Sequence, residues 1–257
     1  MVALGGVGMT AQMTYRTTKA TFDRQMEAFE SRPRQAREIE YFRTEAPKKL
    51  TAKEVLGDFR LQRFLLQSFG LSEMTNANAL VEKVLTDDLD SEDALVWRMN
   101  DQRFTRMATT LRFDQGVGKL QFPNVVDQIV DRYLTNGFEA SVGETSPEVR
   151  QALYFERRAG ELTSMYQILG DRALRDVAVT IAGLPPQSAN LDVDKQADLL
   201  AERIDVEKLK DPDYVKGLVE QYLAKVDAAA GPSGAGAGLL QLFRSGPVGG
   251  FSLDLLV

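Results

Sequence analysis

The chain has 257 residues of which 44% are hydrophobic, enough apolar material for one large core or two small ones. Its 31 Lys and Arg against 37 Asp and Glu give a net charge of −6, which opposes nonspecific attraction to nucleic-acid phosphates and anionic lipid surfaces. Cysteine and histidine are both absent, which excludes disulfides, thiolate metal sites, thiol nucleophiles and every Ser-His or Cys-His pair.

Residues 1–14 begin with an apolar, Gly-containing stretch that is short, lacks a basic lead-in and runs into polar Thr10, Gln12 and Thr14. This predicts a flexible terminus and not a cleaved signal. No run approaches the 18 or so apolar residues that span a bilayer, so no integral membrane segment is expected.

From residue 15 to 123 the pattern predicts a first helical half. Within it, Leu56-Gly57-Asp58 reads as helix punctuation: Gly57 in a left-handed conformation ends one turn, and Asp58 caps the next helix over about 59–69. That helix stops at Gly70, with Leu71 placed for the apolar contact of a Schellman cap. The acidic run 87–93 could in principle hold a hard cation. It lacks the sharp-turn Gly of a calcium loop, and Met99 stands at loop position twelve counted from Asp88. The run is read as a solvated loop in which Asp90 or Ser91 caps a helix starting near Glu92. Trp97 is expected to pack inside.

A long connecting helix is predicted near 124–140, within a 124–152 connection. Asn124 is its expected N-cap, and Val125, Val126, Ile129, Val130, Tyr133, Leu134 and Phe138 form one wide apolar face. A second helical half follows over 153–230. Sliding the chain over itself by 113 positions sets residues 41–71 on 154–184, with nine identities in 31 ungapped positions. Tyr41-Phe42 meets Tyr154-Phe155, Leu56-Gly57-Asp58 meets Leu169-Gly170-Asp171, Ala46 meets Ala159, Leu61 meets Leu174, and Gly70-Leu71 meets Gly183-Leu184. The pattern predicts an all-α fold of two related multi-helix halves from an internal duplication. Further on, Asp211-Pro212 is an N-cap followed by an N1 proline, and it opens a helix with Val215, Leu218, Val219, Tyr222, Leu223 and Val226 on one stripe.

Residues 231–257 form a Gly-rich tail with two apolar clusters. Leu239, Leu240, Leu242 and Phe243 make the first, and Phe251, Leu253, Leu255 and Leu256 the second; both are candidate partner-binding segments. The glycine runs 5–8 and 234–238 lack the strand and Lys-Ser/Thr of a phosphate cradle. Arg32, Arg34, Arg37, Arg157 and Arg158 alternate with acidic neighbours and read as a solvated, ion-paired face, with no claim to nucleic acid. The Tyr-Phe pairs read as core. No catalytic residue, cofactor or metal ligand is assigned.

Several segments resemble a domain-of-unknown-function family of helical alphaproteobacterial proteins often encoded among flagellar genes. They are residues 37–42, 61–71, 138–144, 149–155, 168–171 and 183–185, and the similarity extends over about 15–228. The resemblance implies a non-enzymatic, flagellum-associated protein, a structural component or a chaperone, whose partners are other flagellar proteins. It would be cytoplasmic when made and open to signal-less export to the flagellum or basal body. The alternatives are a general helical adaptor unrelated to motility, or a carboxylate- or divalent-metal-dependent enzyme built on the 87–93 loop.

Overall fold

The computed structural model describes residues 9–99 and 101–231, and the described residues form fourteen α-helices with short 3-10 turns and no strand. The expected all-α class is what the chain adopts. The first three helices, α1 (Ala11–Ala20), α2 (Phe22–Glu30) and α3 (Pro33–Glu45), are followed by α4 (Ala52–Gly57) and α5 (Phe59–Ser68). Next come α6 (Asn78–Thr86), α7 (Leu95–Arg98) and α8 (Gln102–Leu111). The 21-residue α9 (Pro123–Gly143) then leads into α10 (Pro147–Ala159), α11 (Met165–Gly170), α12 (Arg172–Ala182), α13 (Val193–Ala201) and α14 (Pro212–Ala230).

Helix α9 is the central beam. It packs on α2 and α5 on one side and on α10 on the other, and it buries Val126, Ile129, Val130, Tyr133, Leu134, Phe138 and Val142. Its start differs from expectation. Pro123 takes the first helical position after Phe122 in an extended conformation, so the fixed proline φ opens the helix and Asn124 lies inside it. Phe64 of α5 stacks between Phe42 and Tyr133 at centroid distances of 4.2 and 3.9 Å, which ties α3, α5 and α9 into one aromatic core.

The sequence match at an offset of 113 residues has a geometric counterpart. Asp58 accepts from the amides of Arg60 and Leu61 at the start of α5, and its second oxygen accepts from the Tyr41 hydroxyl at 2.7 Å. Asp171 does the same for Ala173 and Leu174 of α12, with the Tyr154 hydroxyl at 2.6 Å. Both helices end in Schellman caps: Gly70 and Gly183 have φ of +73 and +66°, and the Leu71 and Leu184 amides donate to Leu66 and Val179. Gly57 and Gly170 are not left-handed. Each is the last helical residue before an aspartate whose own extended backbone turns the chain.

Helix α1 occupies a place the sequence did not suggest. The Asp227 carboxylate of α14 accepts from the amides of Ala11 and Gln12, so residues expected to be a flexible terminus form a capped first turn on α14 and α10. Tyr15 and Lys19 then bind Glu156 at 2.9 and 3.0 Å. Among the described residues no helix is long and apolar enough to cross a membrane.

Candidate binding cleft

Three helical surfaces meet around the middle of α9 and leave a cleft of about 850 Å³. Asn136, Glu139, Ala140 and Gly143 of α9 form its floor; Gln67, Gly70, Ser72, Glu73 and Arg103 form one wall. The opposite wall is Pro147, Arg150, Gln151 and Tyr154 of α10 with Asp171, Arg172, Ala173 and Asp176. The repeated punctuation therefore frames the cleft, with Gly70 on one wall and Tyr154 and Asp171 on the other.

The floor is held by polar bonds that also finish the helices. The Asn136 side chain donates to the carbonyls of Gln67 and Ser68 at 3.2 and 2.7 Å, joining the Gly70 amide on the first and satisfying the second at the end of α5. Arg103, from α8, reaches the Gly70 carbonyl at 2.8 Å and pairs with Glu73 and Asp101 at 2.7 and 2.9 Å. Arg157 grips the buried Glu139 carboxylate with two bonds of 2.7 and 2.9 Å and donates a third to the Asn136 oxygen. Burial, and then the neighbouring Asp171, push the Tyr154 hydroxyl well above its ordinary value, so it serves as a donor and not as a base.

Beneath the cleft lies a small inner cavity of about 10 Å³, lined by Ser68, Phe69, Arg103, Arg106, Arg132, Asn136, Tyr154 and Arg157. Arg103, Asn136 and Tyr154 line both spaces. Four arginines around so small a volume make this the most concentrated positive charge facing the cleft.

The residues singled out from sequence fall elsewhere or play other parts. Leu239, Leu240, Leu242, Phe243, Phe251, Leu253, Leu255 and Leu256 lie outside the described residues. In the acidic run, Asp87 accepts from the Leu95 amide at 2.6 Å and Asp88 from the Asp90 amide, so Asp87, and not Asp90 or Ser91, meets the helix start at 95. Among the described residues no cluster of three or more Asp or Glu could hold a metal ion. Phe42 and Phe155 are fully buried as expected, whereas Trp97 is 41% exposed because the short α7 turns Val96 inward instead.

The largest correction concerns Arg157 and Arg158. Arg158 is 2% exposed and Arg157 is bonded to a buried carboxylate, so neither belongs to a solvated face. The local pair between Arg158 and Glu161 is as the sequence suggests, but nothing local marks the burial of Arg158 or the reach of Arg157 to Glu139 of α9. The arrangement draws on α5, α8, α9 and α10, and only the folded chain brings those helices together.

The fold and cleft define an all-helical protein with a groove between two similarly punctuated segments. The chain belongs to the family described as "Protein of unknown function (DUF1217)", which matches residues 68–215. That span contains every cleft residue named above except Gln67. The chain is also similar to a protein from Agrobacterium tumefaciens solved by X-ray crystallography, with 28% identity, a TM-score of 0.77, and coverage of 86% of this chain and 95% of that one. No curated protein matches the chain.

Proposed function

We propose that this is a non-enzymatic, flagellum-associated protein that receives a segment of another flagellar subunit in the cleft. The observation that supports it most directly is the cleft itself: about 850 Å³, open to solvent and bordered by rigid capped helices. A groove of that size suits a short peptide or helix. Its inward carboxylates are already bonded, Glu139 to Arg157 and Asp171 to Tyr154. The chain has no histidine or cysteine to act as base or nucleophile. The flagellar setting rests on the family resemblance of residues 37–42, 138–144, 149–155 and 183–185. The apolar clusters at 239–243 and 251–257 supply a second contact, and the matched caps at 58–71 and 171–184 are read as the trace of an internal duplication.

Filling the cleft tests the reading. Ala140→Trp on the floor and Ala173→Trp on the wall place bulk in the groove without touching the bonded polar groups. The expected result is a protein with unchanged helicity and melting that fails to restore motility to a deletion strain and no longer co-purifies with a flagellar subunit. Full motility in the deletion strain itself overturns the flagellar assignment. Full motility with the filled cleft overturns the role of the groove.

A further inference from the structure

The inner cavity concentrates charge that the protein does not neutralise. Arg103, Arg106, Arg132 and Arg157 line it, and a fifth guanidinium, Arg158, shares the Glu161 carboxylate with Arg106. Arg103 has Glu73 and Asp101, and Arg157 has Glu139. Glu161 is divided between Arg158 and Arg106, the latter at 3.5 Å, and is itself 55% exposed. Among the described residues Arg132 has no carboxylate within ion-pair distance; its guanidinium lies 5.6 Å from the Phe69 ring centroid.

Hydrogen bonding repeats the imbalance. The Arg106 Nη2 and Arg132 Nε atoms are buried and have no acceptor, and the same holds for Arg158 Nε. A buried lysine in this position could shed its proton, but an arginine cannot, so the charge stays and needs a counter-charge. Burial and the nearby Arg157 both act against the charged form of Arg132, and Glu161 offsets them only in part.

We propose that the cavity is a site for one small monovalent anion, a halide or a single carboxylate group, held between Arg106 and Arg132. Its volume of about 10 Å³ is that of one water-sized particle. A halide ion is closer to that volume than a tetrahedral oxyanion is. The anion pairs with the Arg106 and Arg132 guanidiniums that line the cavity, and it screens Arg132 from Arg157. The site opens beside Arg103, Asn136 and Tyr154, so a free ion or a carboxylate carried by an occupant of the cleft reaches it by the same route. The inference stands on the arginine geometry and holds whether or not the partner is flagellar.

Thermal melting of the full chain, with chloride, bromide, acetate or sulfate replacing isethionate, a bulky sulfonate, at constant ionic strength, tests it. Chloride or bromide is expected to raise Tm saturably, by about 5 °C when the ion is at about 100 times its Kd. A larger rise with acetate identifies a carboxylate as the preferred form, and a larger rise with chloride identifies the free halide. Arg132→Gln and Arg106→Gln should each lose the response, and Arg132→Gln should melt no lower than the parent in isethionate, because it removes a charge that has no carboxylate partner. Crystals of the unaltered protein in bromide give a readout that needs no variant: an anomalous peak between Arg106 and Arg132. Equal Tm in all four salts, a response to sulfate alone, or a cavity without a bromide peak overturns the proposal.

Discussion

The Tyr154 hydroxyl donates a 2.6 Å hydrogen bond to the Asp171 carboxylate, whose other oxygen caps α12. One residue thus starts a helix and fixes the ring that forms the cleft wall. Tyr154→Phe removes the donor and leaves the cap in place. Because the acceptor is charged and the tyrosine partly buried, the loss should be about 1.5–3 kcal/mol by chemical denaturation. The equivalent Tyr41→Phe should cost less, since burial is the leading influence on the Tyr154 hydroxyl whereas the Asp58 bond leads at Tyr41, where water more readily takes its place. Equal losses at the two positions would argue against burial as the source of the difference.

The glycines separate two kinds of helix end. At Gly70 and Gly183, φ of +73 and +66° places any side chain in the left-handed region, so Gly70→Ala and Gly183→Ala should each lose about 1–2 kcal/mol. Gly57 has open space around an added Cβ and no left-handed φ. Gly57→Ala should therefore be neutral or stabilise by up to about 1 kcal/mol. Urea melts of the three variants check this, and a destabilised Gly57→Ala would show that the backbone there needs glycine after all.

What could be read from the sequence was what neighbouring residues decide among themselves. Asp58 and Asp171 cap, Gly70-Leu71 and Gly183-Leu184 terminate, and Asp211-Pro212 opens α14, because each motif spans one helix turn. Gly57 departs from the left-handed expectation because an extended Asp58 does the turning, and Trp97 stays partly exposed because the four-residue α7 turns Val96 inward. The cleft was not legible at all. Arg103, Arg132 and Arg157 stand on three different helices, and in the chain each sits among charges that suggest a wet surface. Their burial is a property of how α8 and α10 cross α9.

The pair between Glu139 and Arg157 shows what that burial implies. Glu139 is 5% exposed, and Arg157 supplies two of its bonds. Arg157→Met leaves a buried carboxylate without its partner and should cost about 3–5 kcal/mol. Adding Glu139→Gln removes the orphan charge and should recover part of the loss, so the double variant is expected to melt above the single one. A double variant as unstable as the sum of both single changes would mean that the two side chains act independently.

Acid should weaken the start of α4 and α5 in a defined window. Glu54 is held below its ordinary 4.5 by the amides of Leu50 and Thr51. For Asp58, burial pushes upward, but the Tyr41 hydroxyl and the amides of Leu61 and Arg60 outweigh it, and its value falls below 3.8. A carboxylate with a depressed folded value contributes stability that is complete above its unfolded value and is lost as pH falls through the folded one. Their contribution should therefore be constant from neutrality to about pH 5 and decline progressively below about 4.5. Glu54→Gln and Asp58→Asn keep the capping geometry and remove the charge. The Tm gap between parent and each variant should be widest near pH 6–7 and should close as the carboxylates protonate. A gap that stays constant down to about pH 3 would show that the charge of these caps contributes nothing, and that their hydrogen-bond geometry alone holds the two helices.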